Sequence, residues 1–174
     1  MKKHQWLFVA FFLVAIAFNY LPQHLVRAQT NGLSSMQFNH VEINVPNYEE
    51  TIAWYEDKFD ATIELEWTVE KFPDLQLAYI NVYGTQMEIV GTTQSKAGMP
   101  QMSDFDELFK TTGVGHFCFG VDSVDAAIAE LNSRGVPTFI EAFDAPQTGV
   151  RVGFVKDNNG NVIEFTGPMA NTVE

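Results

Sequence analysis

The chain repeats itself. At a constant shift of 76 residues, His40 maps onto His116, Val45 onto Val121, Ile52 onto Ile128 and Ala53 onto Ala129. Farther along, Gly84 maps onto Gly160, Glu88 onto Glu164 and Gly91 onto Gly167. Such a repeat restricts the fold to architectures that pair two copies of one unit. A unit of about 55 residues buries little core alone, so the two copies must share one.

Each unit reads β-α-β-β-β. In the first, Met36 to Val45 alternates with period two: Val41, Ile43 and Val45 share one face, and His40, Glu42 and Asn44 share the other. Asn47 with Glu50 three residues on resembles a capping box. Tyr48, Ile52, Tyr55 and Phe59 then recur at helical spacing and should cover the strand's apolar face. Strands are expected at Thr62–Val69, Leu75–Tyr83 and Thr85–Val90. The second unit repeats the order, with a strand over Val114–Val121 and a helix capped by Asp122 or Ser123 and closed at Gly135. Its later strands fall near 138–142, 150–155 and 162–166, the last entered through the turn Asp157-Asn158-Asn159-Gly160-Asn161. The fold class is therefore α+β, with two βαβββ modules forming a curved, barrel-like metal-binding cup. The modules span 36–91 and 113–168, within one domain over 36–168. Residues 92–112, rich in Thr, Gln, Ser, Gly and Pro, read as a linker with one short amphipathic piece over Ser103–Lys110.

Residues 1–28 stand apart. Lys2 and Lys3 precede an uncharged run from Trp6 to Phe18, and Val26-Arg27-Ala28 offers small residues for cleavage. That order is a secretory signal peptide's, and the run is shorter than a bilayer requires, which predicts an exported protein, periplasmic or secreted. The protein would meet a membrane only if this segment stayed uncleaved. Without Lys2, Lys3 and Arg27, 22 acidic residues face 7 basic ones, a balance that excludes nucleic acid as a partner. Cys118 is the single cysteine, so no intrachain disulfide can form, and it reads as a small buried apolar side chain.

Beyond the signal segment only two histidines remain, His40 and His116. Both sit on the polar face of the first strand of a repeat, and each is followed 48 residues later by a glutamate, Glu88 or Glu164, on the last strand. Taken singly, a strand histidine is usually structural and a strand glutamate usually solvated. Matched placement in both repeats points instead to a metal site. Two imidazoles and two carboxylates suit Ni²⁺, Zn²⁺, Co²⁺, Mn²⁺ or Fe²⁺. Glu42 and Asn44, on the face of His40, and Arg151 are candidates to contact substrate. Trp67, Tyr79 and Tyr83 read as packing residues.

The paired units resemble the vicinal oxygen chelate superfamily, which includes glyoxalase I, extradiol dioxygenases, methylmalonyl-CoA epimerase and the bleomycin- and fosfomycin-resistance proteins. The likeness covers roughly Met36 to Pro168. It is carried by Asn39-His40-Val41, Gly115-His116-Phe117, Trp54-Tyr55 with Phe59-Asp60-Ala61, and the 157–161 turn leading into Val162-Ile163-Glu164-Phe165. The resemblance implies a metal that chelates neighbouring substrate oxygens and stabilises an enolate or similar oxyanion. The ligand order of bacterial glyoxalase I, His-Glu-His-Glu, falls on His40, Glu88, His116 and Glu164, with Glu164 as proton carrier and Glu88 its counterpart. Two positions depart from that enzyme: Asn44 stands where it has a glutathione-binding arginine, and Thr92 where it has an asparagine. The expected function is a metal-dependent, glyoxalase I-like lyase or isomerase acting on a small oxygenated molecule. The alternatives are a non-haem iron ring-cleaving dioxygenase and a non-catalytic small-molecule binding protein of the same fold. The spacing leaves open whether one chain completes the cup or two exchange modules in a homodimer.

Overall fold

In a computed structural model of the chain, residues 33–96 and 102–170 are described. The expected signal segment lies outside them. The chain divides into a unit through Phe38, whose described part holds a turn at 33–35, and a unit from Asn39 onward that contains both modules. No helix among the described residues is long and apolar enough to cross a membrane.

The first module runs β1 (Val41–Val45), α1 (Tyr48–Phe59), β2 (Thr62–Val69), β3 (Phe72–Val82) and β4 (Thr85–Gly91). A connection carrying α2 (Phe105–Lys110) leads to β5 (Phe117–Gly120), α3 (Val124–Ser133), β6 (Thr138–Ala145), β7 (Val150–Lys156) and β8 (Val162–Pro168). The sheets have equivalent orders, β1-β4-β3-β2 and β5-β8-β7-β6, so the sequence repeat is a structural repeat. In each, the first strand lies parallel to the last, a pairing that needs the long α-β-β crossover between them. The sheets remain two of four strands each and do not close into a barrel. The first strand of each is shorter than its period-two pattern and begins just after the histidine.

Local chemistry accounts for the helices. Asn47 Oδ1 accepts from the Glu50 amide at 3.3 Å, and Glu50 answers by accepting from the Asn47 side-chain amide at 2.9 Å. Ser123, of the two candidate caps, accepts from the Ala126 amide at 3.3 Å. Each helix then lays its apolar stripe on one face of its own sheet, and a single core contains Ile52, Tyr55 and Phe59 of α1 with Val124, Ile128 and Leu131 of α3. Phe59 bridges the modules, its ring 6.3 Å from Phe119 and 6.4 Å from Phe165. Lys58 and Arg134 occupy equivalent places in the repeat. Lys58 Nζ donates to the Arg134 carbonyl at 2.6 Å and Arg134 Nη1 to the Lys58 carbonyl at 3.3 Å. A contact in which i meets j as j meets i marks an approximate twofold relation between the modules.

The connection does more than link. Met102 and Leu108 are buried against Val152, Phe154 and Val162, on the face of the second sheet turned away from α3. Lys156 clips this segment down by donating to the Met102 carbonyl while lying over the Phe139 ring. Phe109, next to Leu108 in α2, is exposed.

Gly91 and Gly167, matched by the repeat, are both places of close approach. A Cβ on Gly91 would stand 2.4 Å from Tyr48 Cβ, and one on Gly167 2.5 Å from the Val121 carbonyl oxygen. Gly91→Ala is therefore expected to destabilise the fold by about 1–3 kcal/mol, read as a lower urea midpoint with unchanged m-value.

Candidate metal centre

His40 stands immediately before β1 and Glu88 in the neighbouring β4, where Glu42 pairs with Glu88 in register. His40 Nε2 lies 3.0 Å from Glu88 Oε2. His40 Nδ1 lies 2.6 Å from Asn39 Oδ1, an oxygen that only accepts, so Nδ1 carries the hydrogen. Nε2 is thereby turned to the Glu88 carboxylate, a contact that either a ring proton or a cation between the two groups would satisfy. The second module repeats it. His116 stands just before β5, and its Nε2 lies 2.9 Å from Glu164 Oε2, with Phe154 edge-on to the imidazole at 5.8 Å. Neighbouring ligands at right angles on bonds of ~2.1 Å stand ~3.0 Å apart, so both pairs have the spacing and donor types of a divalent metal's ligands.

The pairs do not merge. Among the described residues, no group of three or more His, Cys, Asp and Glu side chains is placed to hold one metal ion. Each module therefore presents one imidazole–carboxylate pair.

The substrate candidates separate. Glu42 and Asn44 are exposed and hydrogen-bonded to each other at 2.8 Å. They line a cavity of about 710 Å³ together with His116, Lys96 and Met102. Arg151 is not available to a substrate anion. Its guanidinium clasps Asp125 at 2.7 and 2.8 Å, Asp144 at 3.1 Å and the Ala142 carbonyl at 3.1 Å. It also faces α3, since the neighbouring Gly153 backs onto Val124 and Ile128 while Phe154 turns to His116.

Four further residues correct the sequence reading. Cys118 is exposed and pairs with Glu164 across β5 and β8. Burial of part of the thiol and the adjacent Glu164 carboxylate push it up to about 12. Trp67 and Tyr79 do not join the core. Tyr79 pairs with Glu88 and lies 5.4 Å from the His40 ring, with Trp67 a further 4.8 Å away. Tyr83 is exposed and donates to Asp60 at 2.7 Å.

The second pair is held from below by the 157–161 turn. Asp157 accepts from the Asn159 amide at 2.9 Å, the Asn161 amide at 2.8 Å and the Asn161 side chain at 2.7 Å. A fourth donor, the Tyr55 hydroxyl, comes from α1 of the other module at 3.0 Å. Burial foremost, and then the Asp157 charge, hold the Tyr55 hydroxyl well above its usual range. Neither this bond nor the Asn39 anchor was foreseen, although both residues lie within the motifs that carried the resemblance.

Comparison with known proteins agrees with this fold. The family model described as Glyoxalase/Bleomycin resistance protein/Dioxygenase superfamily matches residues 37–165, and the chain belongs to that family. It is similar to human mitochondrial methylmalonyl-CoA epimerase, 26% identical over 134 residues that cover 74% of this chain and 72% of the relative. Similarity to the lactoylglutathione lyase of Schizosaccharomyces pombe is 26% over 123 residues, which cover 63% of this chain but only 40% of that longer protein. Among solved structures, a glyoxalase family protein from Enterococcus faecalis superposes with a TM-score of 0.63 at 23% identity, covering 76% of this chain and 98% of the other. Members of the family typically bind divalent metals and small-molecule substrates.

The Cys118 environment gives a direct check on the second pair. Glu164→Gln removes the charge that opposes thiolate formation, so iodoacetamide should alkylate Cys118 faster at pH 9, roughly tenfold for each unit by which the thiol pKa falls.

Proposed function

We propose that this chain is an exported, metal-dependent lyase or isomerase of the glyoxalase type, acting on a small oxygenated substrate. The observation that supports this reading is the duplicated His–Glu pair. His40 with Glu88 and His116 with Glu164 present Nε2 and carboxylate oxygen at 3.0 and 2.9 Å, on equivalent strands. A divalent cation held by these donors would act as a Lewis acid on neighbouring substrate oxygens.

The protein's own groups would handle the proton. Glu164 is the proposed proton carrier, with Glu88 as its counterpart. A carboxylate suits the task because burial and a nearby cation can tune its basicity towards the working range. Cys118, held as a thiol, sits beside Glu164 as a neutral neighbour and does not compete as a nucleophile. Asn39 fixes the His40 tautomer and ring plane, a constraint that commonly affects a ligand's affinity by about 10- to 100-fold.

Because neither pair reaches three ligands in one chain, we propose that two copies complete the centre, the first module of one meeting the second module of the other. Both β1 and β5 end their sheets with an unpaired edge, the natural template for such an association.

Two experiments test the reading. Metal analysis of the purified protein should find bound divalent metal that His116→Ala reduces. Isomerisation of a 2-oxoaldehyde hemithioacetal should fall about 10²-fold or more in His116→Ala and Glu164→Gln. Absence of bound metal with activity unchanged in His116→Ala would dismiss the enzyme, whereas iron-dependent oxygen uptake with catechol would replace it by a dioxygenase. The second experiment mixes His40→Ala with His116→Ala under exchange conditions. Shared sites predict recovery of part of the activity, since one site of each mixed dimer is intact. Sites built within single chains predict none.

A further inference from the structure

We infer that the group carried by the chelated substrate is uncharged and planar, and that it stacks on Trp67 and Tyr79 beside His40. The inference rests on the metal-dependent reading above and adds the chemical class of the substrate.

Three observations carry it. First, the rings form a continuous path from the proposed ligand outward: His40 to Tyr79 at 5.4 Å with planes tilted by 52°, then Tyr79 to Trp67 at 4.8 Å and 54°. Both rings stand on the sheet face that carries Glu88 and are half-buried, whereas Ala78, Ile80 and Val82, which alternate with Tyr79 along β3, point into the core. Leu65, opposite Tyr79 in register, is 53% exposed and extends the apolar surface. A substrate held at His40 and Glu88 has this wall beside it.

Second, the same face is acidic and amide-rich. Asn81 and Gln86, an in-register pair next to Tyr79 and Glu88, donate to the Glu64 carboxylate at 3.0 and 2.9 Å. Those bonds hold the Glu64 carboxyl below its ordinary range, so it stays ionised. With Glu42 on β1, an anionic substrate tail would meet negative charge.

Third, the positive charges are committed elsewhere. Arg151 and Arg134 are bound to Asp125, Asp144, Asp60 and Glu130. Lys58 and Lys110 pair with Asp57 and Asp106, Lys156 reaches the Met102 carbonyl, and Lys71 lies over Phe72. Lys96 is the described cation that shares a cavity with a proposed ligand, and that ligand is His116. The rings of Trp67 and Tyr79, which do not line the cavity that Lys96 shares with Glu42 and His116, therefore offer stacking apart from these cations.

The test is titration calorimetry of the Ni²⁺-supplied protein with three hydroxamates, which share one chelating group and differ in the tail. Benzohydroxamate is expected to bind about tenfold more tightly than acetohydroxamate, and succinic monohydroxamate more weakly than either. Trp67→Ala should bring benzohydroxamate to the affinity of acetohydroxamate while leaving the latter unchanged, and Lys96→Gln should leave the order intact. Equal affinity for the phenyl and methyl compounds, or preference for the anionic tail, overturns the inference and leaves chelation standing. If no hydroxamate binds, the chelation reading fails. A metal-free titration with benzamide and benzoate then decides the wall separately: a preference for benzamide that Trp67→Ala abolishes supports it, and its absence overturns it.

Discussion

The hydrogen bond from Tyr55 to Asp157 ties the two halves of this molecule at the place where the tie matters most. Asp157 is 6% exposed and Tyr55 fully buried, so an unsatisfied partner on either side would cost on the order of 1–3 kcal/mol. Among the described residues, no cation is paired with the carboxylate. It is satisfied by four donors, three from its own turn and one from the first module's helix. The turn keeps its shape because Asp157 binds its amides, and β8 begins directly after it at Val162, with Ile163 turned to the core and Glu164 to the opposite face. Thr51 on the same helix accepts from the Asn159 side chain at 3.0 Å, adding a second strap. The position of Glu164 thus depends on packing made by residues more than 100 positions away.

Much of this was legible beforehand because it followed from period and composition. The shift between His40 and His116 carried the topology of both sheets, and helix α1 ends where Phe59 leaves the helical spacing. The His–Glu pairs were legible for the same reason, since the first and last strands of each unit were expected to contain them. What the sequence could not supply was the meeting of sheet faces. Arg151 looks like an available cation until the β7 register turns it to Asp125 on α3. Cys118 looks apolar until its pairing with Glu164 sets it on the exposed face. Met102 lies in a polar, Pro- and Gly-containing stretch whose composition hides the fact that it covers a sheet.

The separation of the pairs has the same origin. Matching residues in two repeats says that their surroundings are alike, not that they are near. The approximate twofold relation at Lys58 and Arg134 brings the helices into one core. It makes contacts within the chain serve the fold, and leaves the His–Glu faces for the proposed association with another copy.

The pairing of Glu42 with Glu88 and of Cys118 with Glu164 has a consequence for how such a protein can change. Two identical modules associating as separate chains would have to carry the same side chain at both positions, because one codon would encode both. Joining the modules in one polypeptide lifts that constraint. One half can keep a carboxylate beside its ligand while the other adopts a thiol, and one sheet can acquire an aromatic wall while its twin is covered by Met102 and Leu108. Covalent fusion thereby allows a nearly symmetric scaffold to present two chemically different faces.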